Sequence, residues 1–200
     1  MTTALATSLA RLAGDLARIP VAWALIGGFA VSSRAEPRFT RDIDVCIAAD
    51  TDSDAEGLGA ALTGLGYAVV AIVEHEYRDH LATIRLSSPA TDGVVADGVV
   101  VDLLFASSGV EREIVQQAEL LEILPGLTVP VATAGHLVVL KLLARDAGRP
   151  QDDIDLRALR SVLTADDEIE AGRLAELVMT RGYARERDLP ALLSAYLAAG

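Results

Sequence analysis

Two aspartates separated by one residue are the first feature of this sequence that can do chemistry. Asp42 and Asp44 begin the run Asp-Ile-Asp-Val-Cys-Ile-Ala, whose alternating apolar residues predict a β-strand over 42–48. Residues two apart on a strand project from the same face, so both carboxylates point the same way. Like charges this close repel each other unless a cation lies between them. The pair indicates a metal site, and the alternative is a strand edge with two solvated aspartates.

A third carboxylate, Asp102, interrupts an apolar run. The residues Val-Val-Val-Asp-Leu-Leu-Phe over 99–105 are typical of a buried central strand, in which an ionised carboxylate needs a partner. If this strand lies beside the Asp42 strand, three carboxylates converge. Such a triad can hold Mg²⁺, which takes oxygen ligands and supports phosphoryl transfer. The alternative is a single aspartate paired with an arginine.

A glycine pair, Gly27-Gly28, precedes Asp42 by 13 intervening residues and follows an apolar run over 21–26. Two glycines after a strand let the backbone approach a phosphate closely and offer N–H donors at the start of a helix. A glycine pair alone is a weak signal. Its value here lies in its position relative to Asp42.

Lys141 is the single lysine among 17 basic residues, the other 16 being arginine. It lies in the apolar run Leu-Val-Val-Leu-Lys-Leu-Leu-Ala over 137–144, which predicts a helix. One interpretation is an ammonium group directed into a cleft, where it neutralises phosphate charge. The other is a lysine at the edge of a core helix whose end reaches the solvent.

In this order the motifs resemble the nucleotidyltransferase superfamily related to DNA polymerase β, and within it the AbiEii-type abortive-infection toxins. The resemblance covers about residues 25–159. It rests on Ile-Gly-Gly at 26–28, Thr-Arg-Asp-Ile-Asp-Val at 40–45, Val-Ala-Thr-Ala-Gly-His-Leu-Val-Val-Leu-Lys at 131–141 and Arg-Pro-Gln-Asp at 149–152. One departure is Gln151, because these families often have a lysine before the first helical aspartate.

The resemblance implies three groups of site residues. The catalytic residues would be Asp42, Asp44, Asp102 and Lys141, and the same three aspartates would be the Mg²⁺ ligands. The residues that contact the nucleotide would be Gly27, Gly28, Arg41, Lys141, Asp152 and Asp155. Within this set the two helical aspartates would orient Lys141 or an arginine, and Arg41 would contact phosphate or simply balance the charges of the Asp42 pair.

The implied activity is transfer of a nucleoside monophosphate from a nucleoside triphosphate to an acceptor hydroxyl. The toxin-like resemblance suggests an RNA end, such as the 3′ end of a tRNA, or a protein hydroxyl as acceptor, together with a cognate antitoxin. A small-molecule acceptor such as an aminoglycoside is an alternative, and a non-catalytic nucleotide-binding module is another. A polar cluster over 75–80 either lines an acceptor pocket or forms a solvated loop, and the loop is favoured.

Around these residues the pattern alternates strands and helices up to about residue 132 and is helical from there on. We therefore expect an α/β nucleotidyltransferase fold, with a small mixed sheet flanked by helices, over 1–132, and a C-terminal helical subdomain over 133–200. Leucines at positions 5, 9, 12 and 16 predict a first helix by their spacing.

Composition limits the class of protein. The chain has 200 residues, 52% of them hydrophobic, which fits a globular domain and not a disordered one. No apolar run is as long as a membrane span, and the first residues lack the basic start of a secretory signal, so we expect a cytoplasmic protein. The formal net charge of −12 argues against broad adhesion to nucleic acid, although a local basic cleft remains compatible with it.

Overall fold

The strands and helices of this protein follow one another in the order that the sequence pattern predicts. A computed structural model describes residues 3–74, 81–90, 98–146 and 148–199. The strands are β1 Trp23–Ile26, β2 Asp42–Ile47, β3 Ala68–Glu74, β4 Leu81–Ser87, β5 Val100–Leu104, β6 Glu119–Leu124 and β7 Leu127–Val131. The helices are α1 Thr3–Leu16, α2 Gly27–Arg34, α3 Asp52–Gly64, α4 Glu111–Gln116, α5 Ala134–Ala144, α6 Pro150–Arg160, α7 Ala165–Thr180 and α8 Leu189–Ala198.

The seven strands form one mixed sheet in the order β3-β4-β5-β2-β1-β7-β6. The pairs β2–β5 and β1–β7 are parallel, and the remaining neighbours are antiparallel. Strand β2 therefore lies in the middle of the sheet, with β5 on one side and β1 on the other. The alternative of a strand edge with two solvated aspartates is wrong for β2.

Alternation along β2 explains its central place. Ile43, Val45 and Ile47 are fully buried on one face, which supplies the hydrophobic free energy that holds the strand in the core. The other face carries the two aspartates and Cys46, whose sulfur lies beneath α4 and contacts the Glu111 carbonyl at 3.6 Å. Burial raises the pKa of the Cys46 thiol, so this cysteine is a packing residue and not a reactive one.

The helices are fixed by caps and by buried apolar faces. The four leucines of α1 are buried, as their spacing predicts. Thr133 caps α5 by accepting a hydrogen bond from the His136 backbone N–H, and α3 and α7 each begin with a complete capping box. Helix α5 packs against α6, α7 and α8, and α2 contacts both α5 and α6. The C-terminal helices are thereby brought over the Gly27 turn.

The prediction of an α/β chain that ends in helices is confirmed by this element order. Helix α5 ends at Ala144, where the apolar run that predicts it also ends, and α6 begins at Pro150. Proline is well suited to the first turn of a helix because that turn needs no N–H from it. The division into a 1–132 domain and a 133–200 subdomain stays a prediction. Among the described residues, no helix is long and apolar enough to cross a membrane.

Candidate active site

Asp42, Asp44 and Asp102 meet because β2 and β5 are neighbours in parallel. Asp44 is paired with Asp102 in the register of the two strands, and Asp42 lies two residues earlier on the same face. One carboxylate oxygen from each residue lies within 4.8 Å of the other two. Hard oxygen donors gathered at this spacing suit a divalent cation such as Mg²⁺.

Of the three carboxyl groups, that of Asp44 has a strongly raised pKa. Burial, followed by repulsion from Asp42 and Asp102, raises the pKa of its carboxyl from 3.8 to about 7. The positive charges of Lys141 and Arg149 act in the opposite direction and offset only part of the rise. A cation bound among the three carboxylates would remove the repulsion and stabilise ionised Asp44, so the donor set fits a metal.

Asp102 has a second partner besides the cluster. Arg85, its cross-strand neighbour on β4, donates two hydrogen bonds to the two Asp102 carboxylate oxygens, both at 2.8 Å. Such bidentate pairs fix the plane of a carboxylate. The two interpretations of Asp102, a member of the triad and an aspartate paired with an arginine, therefore both hold. The Arg85 side chain is half exposed and borders the same cavity.

The glycine turn lies directly against the carboxylates. Gly27 has φ +65°, and a Cβ atom built on it would stand 1.9 Å from Oδ2 of Asp44. No side chain caps the N-terminus of α2, which begins at Gly27. The turn thus combines free backbone N–H groups with a close approach to the cluster, as a phosphate-binding turn requires.

Behind the turn, two side chains that the sequence analysis did not single out hold the loop before β2. A Cβ atom on Gly28 would lie 2.6 Å from the Arg38 guanidinium and 2.8 Å from the Thr40 hydroxyl oxygen. Thr40 donates a hydrogen bond to the Asp42 carboxylate at 3.1 Å and so orients it. Arg38 donates two hydrogen bonds to Asp155 of α6, with Nη2 at 2.8 Å from Oδ2.

Lys141 lies at the centre of a buried ion network. Its Nζ atom is 2.9 Å from Asp152 and 2.8 Å from Asp155, two carboxylates that are almost fully buried. Arg149 approaches the second oxygen of Asp152 at 3.4 Å. Only 12% of the Lys141 side chain is exposed, so its ammonium group does not extend into solvent at the edge of the helix. Two carboxylates hold it toward the cleft.

One cavity of about 780 Å³ joins these parts, and its volume falls in the usual range for small-molecule sites. Arg41 borders it, with its guanidinium 5.7 Å from the ring centroid of the exposed Phe39. Within the described part of the chain, no carboxylate forms an ion pair with Arg41, and both of its expected roles, contact with phosphate and balance of the Asp42 pair, stay predictions. The polar cluster over 75–80 lies outside the described residues.

Comparison with known families decides the identity of this arrangement. Residues 12–197 match the family described as nucleotidyl transferase AbiEii toxin of the type IV toxin–antitoxin systems. The chain belongs to the AbiEii family. It is a nucleotidyltransferase, and the resemblance seen in the sequence is confirmed. No curated protein compared with it matches significantly.

Solved structures confirm the nucleotidyltransferase fold of this AbiEii-family protein. An antigenic nucleotidyltransferase-like protein from Paracoccidioides brasiliensis is 17% identical, with a TM-score of 0.58 over 97% of this chain and 94% of its own. The antibiotic-resistance factor ANT(2″)-Ia is 19% identical, with a TM-score of 0.52 over 100% and 96%. A putative nucleotidyltransferase from H. pylori is 14% identical, with a TM-score of 0.51 over 100% and 97%.

The structure places every expected site residue of the AbiEii-family protein at the cavity wall except Asp155, which lies fully buried behind Lys141. Their roles in binding metal and nucleotide stay predictions. Besides Thr40, sequence reasoning missed three arginines of the cavity, Arg38, Arg85 and Arg185. Arg85 had a signal, because it is a charged residue within the apolar strand run of β4. Arg38 and Arg185 lie in irregular connections, where no periodicity marks the direction of a side chain.

Proposed function

We propose that this nucleotidyltransferase uses Mg²⁺ to transfer a nucleoside monophosphate from a nucleoside triphosphate to a hydroxyl group of RNA, with the 3′ end of tRNA as the first candidate. One observation carries the proposal. The three carboxylates, the Gly27 turn and Lys141 line a single cavity. These are the parts that phosphoryl transfer needs, since catalysis of this reaction is mostly positioning and neutralisation of charge.

Asp42 and Asp44 would hold the metal, and Asp102 would activate the acceptor or complete a second metal position. When bound, Mg²⁺ would neutralise negative charge on the phosphates of the nucleotide. The repulsion that raises the pKa of Asp44 supports this assignment, because a cation is the simplest way to relieve it.

The reaction needs a base that accepts the proton of the attacking hydroxyl. It also needs groups that bind the triphosphate and keep it in position. As the base, Asp102 would take the proton of the acceptor hydroxyl, and each of its oxygens keeps a lone pair that Arg85 does not use. The acceptor oxygen forms a bond to the α-phosphorus, the bond from that phosphorus to the bridging oxygen breaks, and pyrophosphate leaves. The Gly27 turn and Lys141 would hold the phosphates in line during the exchange.

The charge of the cavity favours an anionic acceptor. Although the chain as a whole is acidic, six basic side chains line the cavity against four carboxylates; the basic ones are Arg38, Arg41, Arg85, Lys141, Arg149 and Arg185. This environment attracts a phosphate backbone and repels a polycationic aminoglycoside.

The decisive experiment incubates the purified protein with each α-³²P-labelled nucleoside triphosphate, Mg²⁺ and total bacterial RNA, with and without cell protein. Label on tRNA is expected with the wild-type protein and none with Asp44→Asn, which should fold normally because it keeps the size and polarity of the side chain. Label on a protein would assign the other acceptor class. Turnover retained in Asp44→Asn would sink the metal-site assignment.

The proposal also includes a cognate antitoxin and a cytoplasmic location. Membership in a toxin family of the type IV systems supports a cognate antitoxin, and expression of this chain alone should then slow growth unless Asp44 is replaced. A cytoplasmic location is part of the same proposal, because tRNA is the candidate acceptor there. Loss of toxicity in Asp44→Asn is the outcome that connects growth arrest with transfer.

A further inference from the structure

Arg185 is a cavity residue for which the reaction described so far has no use. It lies in the connection between α7 and α8, and it borders the same cavity as the three carboxylates. Arg185 has φ +53° and the next residue, Glu186, has φ +62°. Two consecutive residues with side chains in the left-handed region are strained, and such strain persists only where the surroundings impose it.

The surroundings of this connection are well defined. Arg181 donates hydrogen bonds to the Gly109 carbonyl at 2.6 Å and to Glu113 at 2.6 and 2.9 Å. The ring of Tyr183 lies over Gly109, where a Cβ atom would stand 2.3 Å from it. Arg185 itself donates a hydrogen bond to the Ser107 carbonyl at 3.0 Å, just beyond the end of β5. The helical end of the chain is thus fastened to the sheet so that one guanidinium reaches the cavity.

Arg185 differs in its charge pairing from three other arginines of the cavity. Within the described ranges no carboxylate lies within salt-bridge distance of its guanidinium, whereas Arg38, Arg85 and Arg149 in the same cavity are each paired with an aspartate. Burial, followed by the positive charges of Arg187 and Arg149, lowers the pKa of Arg185, and the buried carboxylate of Glu111 acts in the opposite direction. An arginine without an ion pair, on the wall of a cavity that other cations also line, is an arrangement that favours the binding of an anion.

The position of Arg149 indicates which anion this is. Arg149 contacts Asp152, the same aspartate that Lys141 contacts. Arg185 is held elsewhere on the wall of this cavity, by its hydrogen bond to the Ser107 carbonyl. A metal and Lys141 would hold the phosphates nearest the carboxylates. We propose that Arg185 binds the terminal phosphate of the nucleoside triphosphate, so that the C-terminal part of the chain distinguishes triphosphates from diphosphates. This inference rests on the proposed nucleotidyl transfer.

Calorimetric titration tests the assignment without any acceptor. The probes are the α,β-methylene analogues of the four common ribonucleoside triphosphates, which cannot undergo transfer, and the four corresponding diphosphates, all with Mg²⁺. In Arg185→Gly the guanidinium is removed and glycine accepts the left-handed backbone without strain, so this variant should melt at or above the wild-type temperature. Arg187→Ala, two residues away and outside the cavity, is the matched control.

We expect Arg185→Gly to weaken triphosphate binding by at least about tenfold, the usual effect of losing a charge-assisted hydrogen bond, and diphosphate binding by less than about threefold. Arg187→Ala should bind both as the wild type does. Equal losses for triphosphate and diphosphate would overturn the assignment to the terminal phosphate, and wild-type affinity in Arg185→Gly would overturn the inference while the proposed transfer stands. Absence of any triphosphate binding by the wild-type protein would instead overturn the proposed function.

Discussion

At the scale of single residues, Asp44 should set the pH dependence of the proposed metal binding. Its pKa of about 7 means that near neutral pH a bound proton competes with the metal. We expect Mg²⁺ affinity to fall about tenfold between pH 8 and pH 6, because one pH unit below the pKa leaves roughly a tenth of the carboxyl ionised. Calorimetry in buffers of different ionisation enthalpy should show proton release on binding, and an affinity that is constant over this range would contradict the assignment.

The same shift also determines the stability of the metal-free protein. The pKa of Asp44 is higher in the folded state than its ordinary value of 3.8, so the folded state binds the proton more tightly. The contribution of this group to stability therefore decreases as pH rises from about 4 and reaches its least favourable value above about 7. In metal-free protein, Asp44→Asn should raise the melting temperature at pH 8, and the gain should shrink toward pH 5.

Gly27 offers a second test at the residue scale. Gly27→Ala combines left-handed strain with a collision at 1.9 Å between the new Cβ atom and the Asp44 carboxylate. Gly126→Ala carries the strain alone, since Gly126 has φ +77° and open space around it. We expect both to lose about 1–2 kcal/mol to strain, but only Gly27→Ala to lose transfer activity by a hundredfold or more. Equal activities in the two variants would show that the close approach to Asp44 has no importance.

At the scale of elements, Asp155 joins α6 to the helix that carries Lys141 and to the loop that carries Arg38. Its carboxylate is fully buried and bonded to both cations. Asp155→Asn should cost about 3–5 kcal/mol in the free energy of unfolding, because it leaves buried positive charge unpaired. Activity should fall as well, since Lys141 then loses one of the two groups that hold it.

Asp153, two residues earlier on the same helix, supplies the control for that change. Its ion pair with Arg145 at 2.7 Å is exposed, so Asp153→Asn should change stability by less than about 1 kcal/mol. Denaturant unfolding and transfer assays on both variants make the comparison. Similar losses of stability and activity in the two variants would mean that the buried ion pairs of Asp155 contribute no more than an exposed ion pair.

The elements also show what a sequence can and cannot reveal. Alternation predicts β2 as a strand and the apolar run predicts β5 as a central one, and parallel pairing of these two strands is enough to gather the carboxylates. The partners of those carboxylates were not predictable in the same way. Arg85 contacts Asp102 through a strand register that depends on the β4–β5 connection, and Arg38 reaches Asp155 across 117 positions in the chain. The hydrophobic periodicity of a segment indicates which of its faces is buried. It does not indicate which residues distant in the sequence come into contact.

At the scale of the whole molecule, charge is distributed unevenly. The chain has 29 acidic and 17 basic residues, yet the cavity wall is predominantly basic. If RNA is the acceptor, as proposed, this separation predicts that it binds at the cavity and is repelled by the remaining surface, with a modest electrostatic contribution to affinity. The acidic exterior also limits non-specific adhesion to nucleic acid.

Salt dependence measures this property of the molecule directly. About four cavity cations are exposed enough to reach an RNA backbone, namely Arg41, Arg85, Arg149 and Arg185. Because each phosphate contact with a single strand contributes about −0.7 to the slope of log affinity against log salt, the slope should be no steeper than about −3. Titrating labelled tRNA at several salt concentrations gives the slope. Arg41→Ala should make the slope shallower by about 0.7, the contribution of one phosphate contact. A much steeper slope would reveal a basic RNA-binding surface outside the cavity, and the acceptor would then be held mainly by contacts away from the site of transfer.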